Sequence, residues 1–361
     1  MNKTLILSIM ALLFLVACAQ PAEKIKIGVT TVLTGPAAAS GTWIKNGVEL
    51  ALEKLPEADR ANVDVIFEDD QCKADTGLTV AHKFVEIDNL KFVIGPLCGG
   101  VATPTMQFYE DNKVLRIMPT LGLESNIGKG KYYFLSLGSG ESMMKTLASS
   151  AFDSNISTVA VLFDDGDYGR DSLKWFEKYF TEKGGKVVAK EPFVRGTTDF
   201  RTQLAKIKVA NPDAVFIASF GQTLVNILKQ MKELGIETRK LSLINTEDTD
   251  VVKSVPDLIE GALYPSVIDS TTSDVKAWFQ QRYLEKFGAP PEAIATDSFD
   301  ALNVLYSAIK SCKQDVECVK QTITQTGYVG AGGTVSFDQK GVGIRNPVIK
   351  TVKNGKFVFV E

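Results

Sequence analysis

The chain has 361 residues, 45% of them hydrophobic and 23% charged, an ordinary globular composition that excludes a largely disordered, collagen-like or polytopic membrane protein. Its 40 basic and 43 acidic residues leave a net charge of −3 with no strongly basic arm or stripe, so nucleic acid finds no electrostatic footing. The single histidine, His82, leaves little room for a histidine metal site or a Ser/His/Asp triad, and reads as a surface helix residue.

The first residues read as an export leader. Lys3 precedes an uncharged apolar stretch from Thr4 to Ala17, too short to span a bilayer comfortably. It ends in Leu15-Val16-Ala17-Cys18, and small residues before a cysteine resemble the bacterial lipobox. Residues 1–17 are therefore expected to be a lipoprotein signal peptide, Cys18 the lipidated cysteine, and 18–24 a tether. A chance cysteine in an ordinary signal peptide is the other reading. The remaining cysteines suit export: Cys72 with Cys98, and Cys312 with Cys318, make two bridges of the kind that persist outside the cytosol. Cys312 and Cys318 also have the form of a metal-site fragment, but no second ligand pair or histidine lies near them.

Beyond the tether, short apolar runs alternate with amphipathic stretches. The pattern predicts a strand at Ile25–Val29, then a helix whose buried face is Ile44, Val48, Ala51, Leu52 and Leu55. A strand at Val63–Phe67, a helix over Leu78–Ile87, a strand at Phe92–Ile94, a helix over Thr103–Asp111 and a strand at Val114–Met118 follow. From about residue 142 the alternation restarts. Strands are predicted at Val159–Phe163, Lys186–Ala189, Ala214–Ile217 and Leu241–Ile244, with helices over Asp171–Lys183, Phe200–Val209 and Leu224–Leu234. The tail adds helices over Val275–Phe287, Thr296–Lys310 and Val316–Thr324, then strand-like alternation at Thr334–Phe337 and Val348–Val360. This is an α/β pattern of two doubly wound parallel-sheet lobes. The tail must pack back on both, so three crossings are expected, at Ser136–Gly140, Tyr264–Ser266 and Gly343–Pro347. They would act as a hinge. Residues 25–138 plus 267–345 are expected to form lobe 1, and 139–266 plus 346–361 lobe 2.

Ligands of open α/β sheets bind beyond the carboxyl ends of strands. Gly99-Gly100, before a helix, offers free N–H groups for a carboxylate; equally, the glycines permit a tight turn. Ser40 and Thr120 are either hydroxyl donors or plain helix caps. Leu121 and Gly122 continue the Thr120 loop. Tyr168 and Phe220 supply either flat apolar walls or core, and Glu247 either meets an ammonium group or is a solvated loop carboxylate. Trp43 lines the cleft or packs beneath its loop. Catalytic signatures are weak: no phosphate-binding loop or nucleophile elbow is present, and Asp164, Asp165 and Asp167 read better as a solvated turn than as a metal site. No enzyme activity, metal or cofactor is expected.

Thr34-Gly35-Pro36, Glu68-Asp69-Asp70-Gln71-Cys72, Ile94-Gly95-Pro96-Leu97-Cys98 and Asp165-Gly166-Asp167-Tyr168-Gly169 together resemble the leucine/isoleucine/valine-binding proteins of bacterial ABC transporters, in a lipoprotein form. The resemblance runs from about Lys24 to the end. It implies a two-lobed type I periplasmic binding protein, monomeric, held outside the cytoplasm by its lipid and working with a membrane permease. It implies that Ser40, Gly99, Gly100 and Thr120 through Gly122 hold a ligand's carboxylate, while Tyr168, Phe220 and Glu247 approach from the second lobe. Gly99 stands where the family commonly has serine, and Gly122 where threonine is common. A branched-chain amino acid is the favoured ligand, with an amide or an aromatic or short-chain acid as alternatives. Transport and ligand sensing both suit such a module.

Overall fold

A parallel strand between two helical layers must be apolar on both faces, and Ile27, Val29, Phe92, Ile94, Leu115 and Ile117 are buried accordingly. The computed structural model describes residues 24–35, 37–122, 124–268 and 272–360. The expected leader, the lipidation site Cys18, the tether up to residue 23, and Pro36 lie outside the described residues. Strands β1 (Ile25–Thr31), β2 (Val63–Asp69), β3 (Phe92–Ile94), β4 (Leu115–Met118) and β5 (Tyr133–Leu135) form a five-stranded sheet in the order β2-β1-β3-β4-β5. All its pairings are parallel. Helices α1 (Ala38–Lys54), α2 (Ala74–His82, continued by a π-helical turn over Lys83–Ile87) and α3 (Gly99–Asp111) connect them.

Helix α4 (Gly140–Asp153) opens the second half. Strands β6 (Thr158–Asp164), β7 (Lys186–Phe193), β8 (Ala214–Ala218), β9 (Arg239–Leu241) and β10 (Leu263–Ser266) are joined by α5 (Asp167–Glu182), α6 (Arg201–Ala210), α7 (Gly221–Glu233) and short helical turns. They are parallel to one another; antiparallel β13 (Val348–Lys353) and β14 (Lys356–Phe359) complete a sheet ordered β14-β13-β10-β9-β8-β6-β7. The α/β reading with two parallel sheets is thus borne out. The pattern does not contain β5, α4 or the strand at Tyr328–Gly330, and two segments that it does assign differ. Tyr264-Pro265-Ser266, expected as a crossing, lies inside β10, and the chain leaves the sheet after it. β9 pairs with β10 only through Leu263, so the ladder on that side ends before the proline, which is tolerated where a ladder is incomplete. The strand expected to reach Ile244 stops at Leu241, and Ile244–Glu247 form a 3₁₀ turn instead.

Between the two sheets' final strands the chain returns to the first sheet as α8 (Asp274–Phe287), α9 (Ala293–Cys312), α10 (Val316–Gln325) and the hairpin β11 (Tyr328–Gly330) with β12 (Gly333–Val335). Helix α9 is buried along nearly its whole length. It lies so close to α1 that a Cβ on Gly47 would sit 2.1 Å from the Ala295 carbonyl oxygen. Trp43, undecided from sequence, packs against this core. His82 is exposed and pairs with Glu86 at 2.9 Å.

The chain passes between the sheets after β5, after β10 and after β12. Arg345, on the third passage, pairs with Asp297 of α9 at 2.6 Å and donates to the Ser136 carbonyl of the first at 3.0 Å. The Ser136 hydroxyl donates to the same Asp297. The Arg345 and Asp297 side chains are 3% and 0% exposed, so this junction is dry. Two disulfides staple the part built on the first sheet: Cys72–Cys98, with Cα atoms 5.5 Å apart, and Cys312–Cys318, at 5.6 Å. In the chain-entropy view the longer loop contributes about 3–4 kcal/mol.

Candidate ligand-binding cleft

The loop after β1 is held by acids of the Glu68-Asp69-Asp70-Gln71-Cys72 stretch, and the loop after β3 by its cysteine. Asp69 accepts from Leu33 N (2.9 Å), Gln71 N (2.9 Å) and the Thr34 hydroxyl (2.6 Å). Burial works against its charge, but those bonds outweigh burial and hold its carboxyl below the ordinary range. Asp70, fully buried, accepts from Cys72 N (2.8 Å) and the Thr30 hydroxyl (2.9 Å); burial dominates there and pushes its carboxyl up. This motif therefore fixes the first loop and the bridge to Cys98. Cys98 in turn is the residue before α3, so the disulfide anchors the helix start at Gly99-Gly100. The first N–H groups of a helix have no partner within it.

Ser40 is half-buried in the first turn of α1, and its hydroxyl has no partner among the described residues. Its neighbour Gly41 is obligatory, because a Cβ there would lie 1.6 Å from the Val32 carbonyl oxygen. Thr120 is 5% exposed and its hydroxyl reaches the Leu97 carbonyl at 3.4 Å, tying the β4 loop to the β3 loop. Gly100 faces open space. At Gly122 a Cβ would meet the buried Leu135 side chain at 2.4 Å, which accounts for a glycine at this place in the loop.

From the second sheet, Tyr168 rises in the first turn of α5 and Phe220 immediately precedes α7. Their rings are tilted with centroids 6.5 Å apart. The Tyr168 hydroxyl donates to Asn245 Oδ1 at 3.3 Å, and burial pushes its ionisation well above the ordinary range, so it is a neutral donor. Glu247 ends the same turn as Asn245. It is 6% exposed, and its Oε1 accepts from the Ser266 hydroxyl (3.1 Å) and from Lys350 Nζ (2.7 Å).

The two sets meet. Leu121 and Gly122 line one pocket with Tyr168, joined by Glu141 and Met144 of α4 and by Asp171 and Trp175 of α5. Leu121 packs into the core of the second half. Tyr168, Asp171, Ser172 and Trp175 recur at helical spacing, one face of α5 turned to this gap. Among the described residues no hydrogen bond joins Ser40, Gly99 or Gly100 to the second set. Sequence reasoning missed Asn245 as the Tyr168 partner, Asp171, Trp175, and above all Lys350. The available signal for Lys350 was its phase: it shares a strand face with buried Val352. The acidic turn is accounted for locally. Asp164 pairs with Arg195 at 3.2 Å and accepts from Gly166 N, while Asp165 pairs with Arg170.

Comparison with known proteins agrees with this architecture. The sequence profile described as periplasmic binding protein matches residues 24–356. A leucine-, isoleucine-, valine-, threonine- and alanine-binding protein of Pseudomonas aeruginosa is 27% identical over 331 residues, covering 89% of this chain and 87% of the relative. The crystal structure of a leucine-binding protein from Thermotoga maritima superposes with a TM-score of 0.87 at 24% identity, covering 93% of this chain and 98% of the other. A solute-binding protein of an ABC transporter from Rhodopseudomonas palustris, in complex with benzoate, superposes with a TM-score of 0.85 at 16% identity, covering 93% and 95%. The chain belongs to the periplasmic binding protein family, in the type I fold it shares with leucine/isoleucine/valine-binding proteins.

Proposed function

We propose that this protein is the lipid-anchored extracytoplasmic receptor of an ABC importer. It takes a small carboxylate-headed solute between two lobes, 25–138 plus 267–345 and 139–266 plus 346–361, and presents it unchanged to a membrane permease. One observation carries the reading: Leu121 and Gly122 of the first sheet's loops share a pocket with Tyr168 of the second. A solute there touches both halves only when they are closed, so its differential affinity shifts the population towards closure.

The solute's head meets the N–H groups at Gly99-Gly100 and the Ser40 and Thr120 hydroxyls, and its apolar body lies against Tyr168 and Phe220. Micromolar affinity requires about −8 kcal/mol. Burying a branched aliphatic group contributes about 1.5–3 kcal/mol, and each hydrogen bond to a charged head about 1.5–3 kcal/mol. Branched-chain amino acids and aromatic or short-chain acids meet that description, and an amide offers its carbonyl oxygen to the same donors. The Pseudomonas aeruginosa relative, named for amino acids, and the benzoate-bound structural neighbour support this range. Lipid attachment at Cys18 accounts for the leader and tether.

Titration calorimetry of the detergent-purified lipoprotein against amino acids, amides and organic acids tests the reading. At least one class should bind, with a smaller radius of gyration in solution scattering. Silence across the whole panel would remove it. Cys18→Ala should release the protein from the membrane fraction.

A further inference from the structure

We infer that Lys350 occupies, from inside the protein, the place of a ligand's ammonium group, so that the solute taken by this cleft is a carboxylic acid or amide carrying no amine. This rests on the solute-binding reading and narrows it. Glu247 is the acid nearest in sequence to Asn245, which binds the cleft residue Tyr168. Its carboxylate already holds Lys350 Nζ at 2.7 Å and the Ser266 hydroxyl at 3.1 Å. The pair is enclosed, with side chains 7% and 10% exposed. It is also built into the sheet. Lys350 of β13 stands opposite Tyr264 of β10 in the antiparallel register, and Ser266 lies two residues further along the same face. Glu247 therefore sits over three residues whose positions the strands dictate.

A ligand ammonium brought to Glu247 has two courses. It can share the carboxylate with Lys350, which places two cations side by side where little water screens them. Alternatively it can displace Lys350, which leaves a buried lysine without its carboxylate partner and with the Phe359 ring 5.1 Å from Nζ. A solute without an amine disturbs neither group. The acids near Glu247 do not replace it. Asp248 uses Oδ1 on the N–H groups of Asp250 and Val251. Of the two acids in the pocket with Tyr168, Glu141 already accepts from the Tyr179 hydroxyl and pairs with Lys178, so half-buried Asp171, beside Trp175, is where an amine would have to go if the inference is wrong.

Matched pairs decide the matter: leucine against isocaproate, and phenylalanine against hydrocinnamate, titrated into the native lipoprotein in detergent. The amine-free member of a pair should bind at least tenfold tighter, about 1.4 kcal/mol. Lys350→Met, which frees the Glu247 charge, should shift the ratio towards the amino acid. The double variant Lys350→Met/Glu247→Gln, neutral again, should return to the native preference and guards against misfolding of the single one. An amino acid that binds as tightly as its amine-free twin in the native protein overturns the inference and leaves the solute-binding reading standing. Leucine binding lost in Asp171→Asn does the same and assigns the amine to Asp171. If no solute of any class binds, the solute-binding reading itself falls.

Discussion

Glu292, 6% exposed at the residue before α9, shows how burial sets the chemistry of one side chain. Burial pushes its carboxyl up to about 7; the Tyr283 hydroxyl, donating at 2.9 Å, opposes this, and Asp248 and Asp250 reinforce it. A carboxyl whose pKa rises on folding from 4.5 to about 7 binds its proton more tightly in the native state. Its contribution to stability is complete below about pH 4.5 and is lost as the pH climbs through about 7. The loss amounts to roughly 3 kcal/mol. Urea denaturation at about pH 5 and about pH 8 should therefore show the native protein losing that much more than Glu292→Gln. Equal slopes for the two proteins would refute the assignment.

Between elements, α1 and α9 make a close junction. The spacing of Ile44, Val48 and Ala51 identifies the buried face of α1, and these residues are fully buried. The same spacing says nothing of how near the next helix comes. Gly47 answers that, because the Ala295 carbonyl and the Phe299 N–H leave no room for a methyl group. These are backbone atoms, unable to swing aside. Gly47→Ala should destabilise the protein by about 1–3 kcal/mol despite the better helix propensity of alanine. A thermal melt lowered by several degrees is expected, and an unchanged melt would mean the helices are not so closely packed. The loop acids teach the same lesson. Glu68-Asp69-Asp70-Gln71-Cys72 stands out in the sequence as a cluster, yet Asp69 and Asp70 serve to hold loop backbone rather than to meet a ligand directly.

Across the whole molecule, the first and third of the three passages between the sheets meet α9 at a buried ion pair. Arg345 links the first and third passages through Ser136 and Asp297. Removing the cation leaves Asp297 in a dry environment with one hydroxyl partner. Arg345→Met should cost about 3–5 kcal/mol in urea denaturation. The double change Arg345→Met/Asp297→Asn should recover much of it, since the larger part of the loss is the stranded charge. If the double variant is no better than the single one, the pair acts by packing alone. The proposed closure of the lobes would concentrate motion where passages cross, so the single variant should also alter the scattering radius of the unliganded protein.

The sequence alone determined the α/β alternation, the ends of most strands, the strand-end loops from which the proposed cleft is built and the cysteines available for bridging. Each is written locally: a buried strand is a short apolar run, a helix repeats its apolar face every three or four residues, and a glycine-rich turn follows the strand it ends. Only the tertiary structure decided which distant charges meet. Glu247 and Lys350 are 103 residues apart, and Arg345 and Asp297 are 48 apart. The pattern could mark Lys350 as lying on a buried strand face, but its partner is chosen by antiparallel pairing of β13 with β10, which no local period encodes. The same holds for β10, whose proline and polar ends look like a connection until its neighbours make it a strand. Periodicity reports which side of an element faces inward; what waits on that side depends on how the chain returns through space.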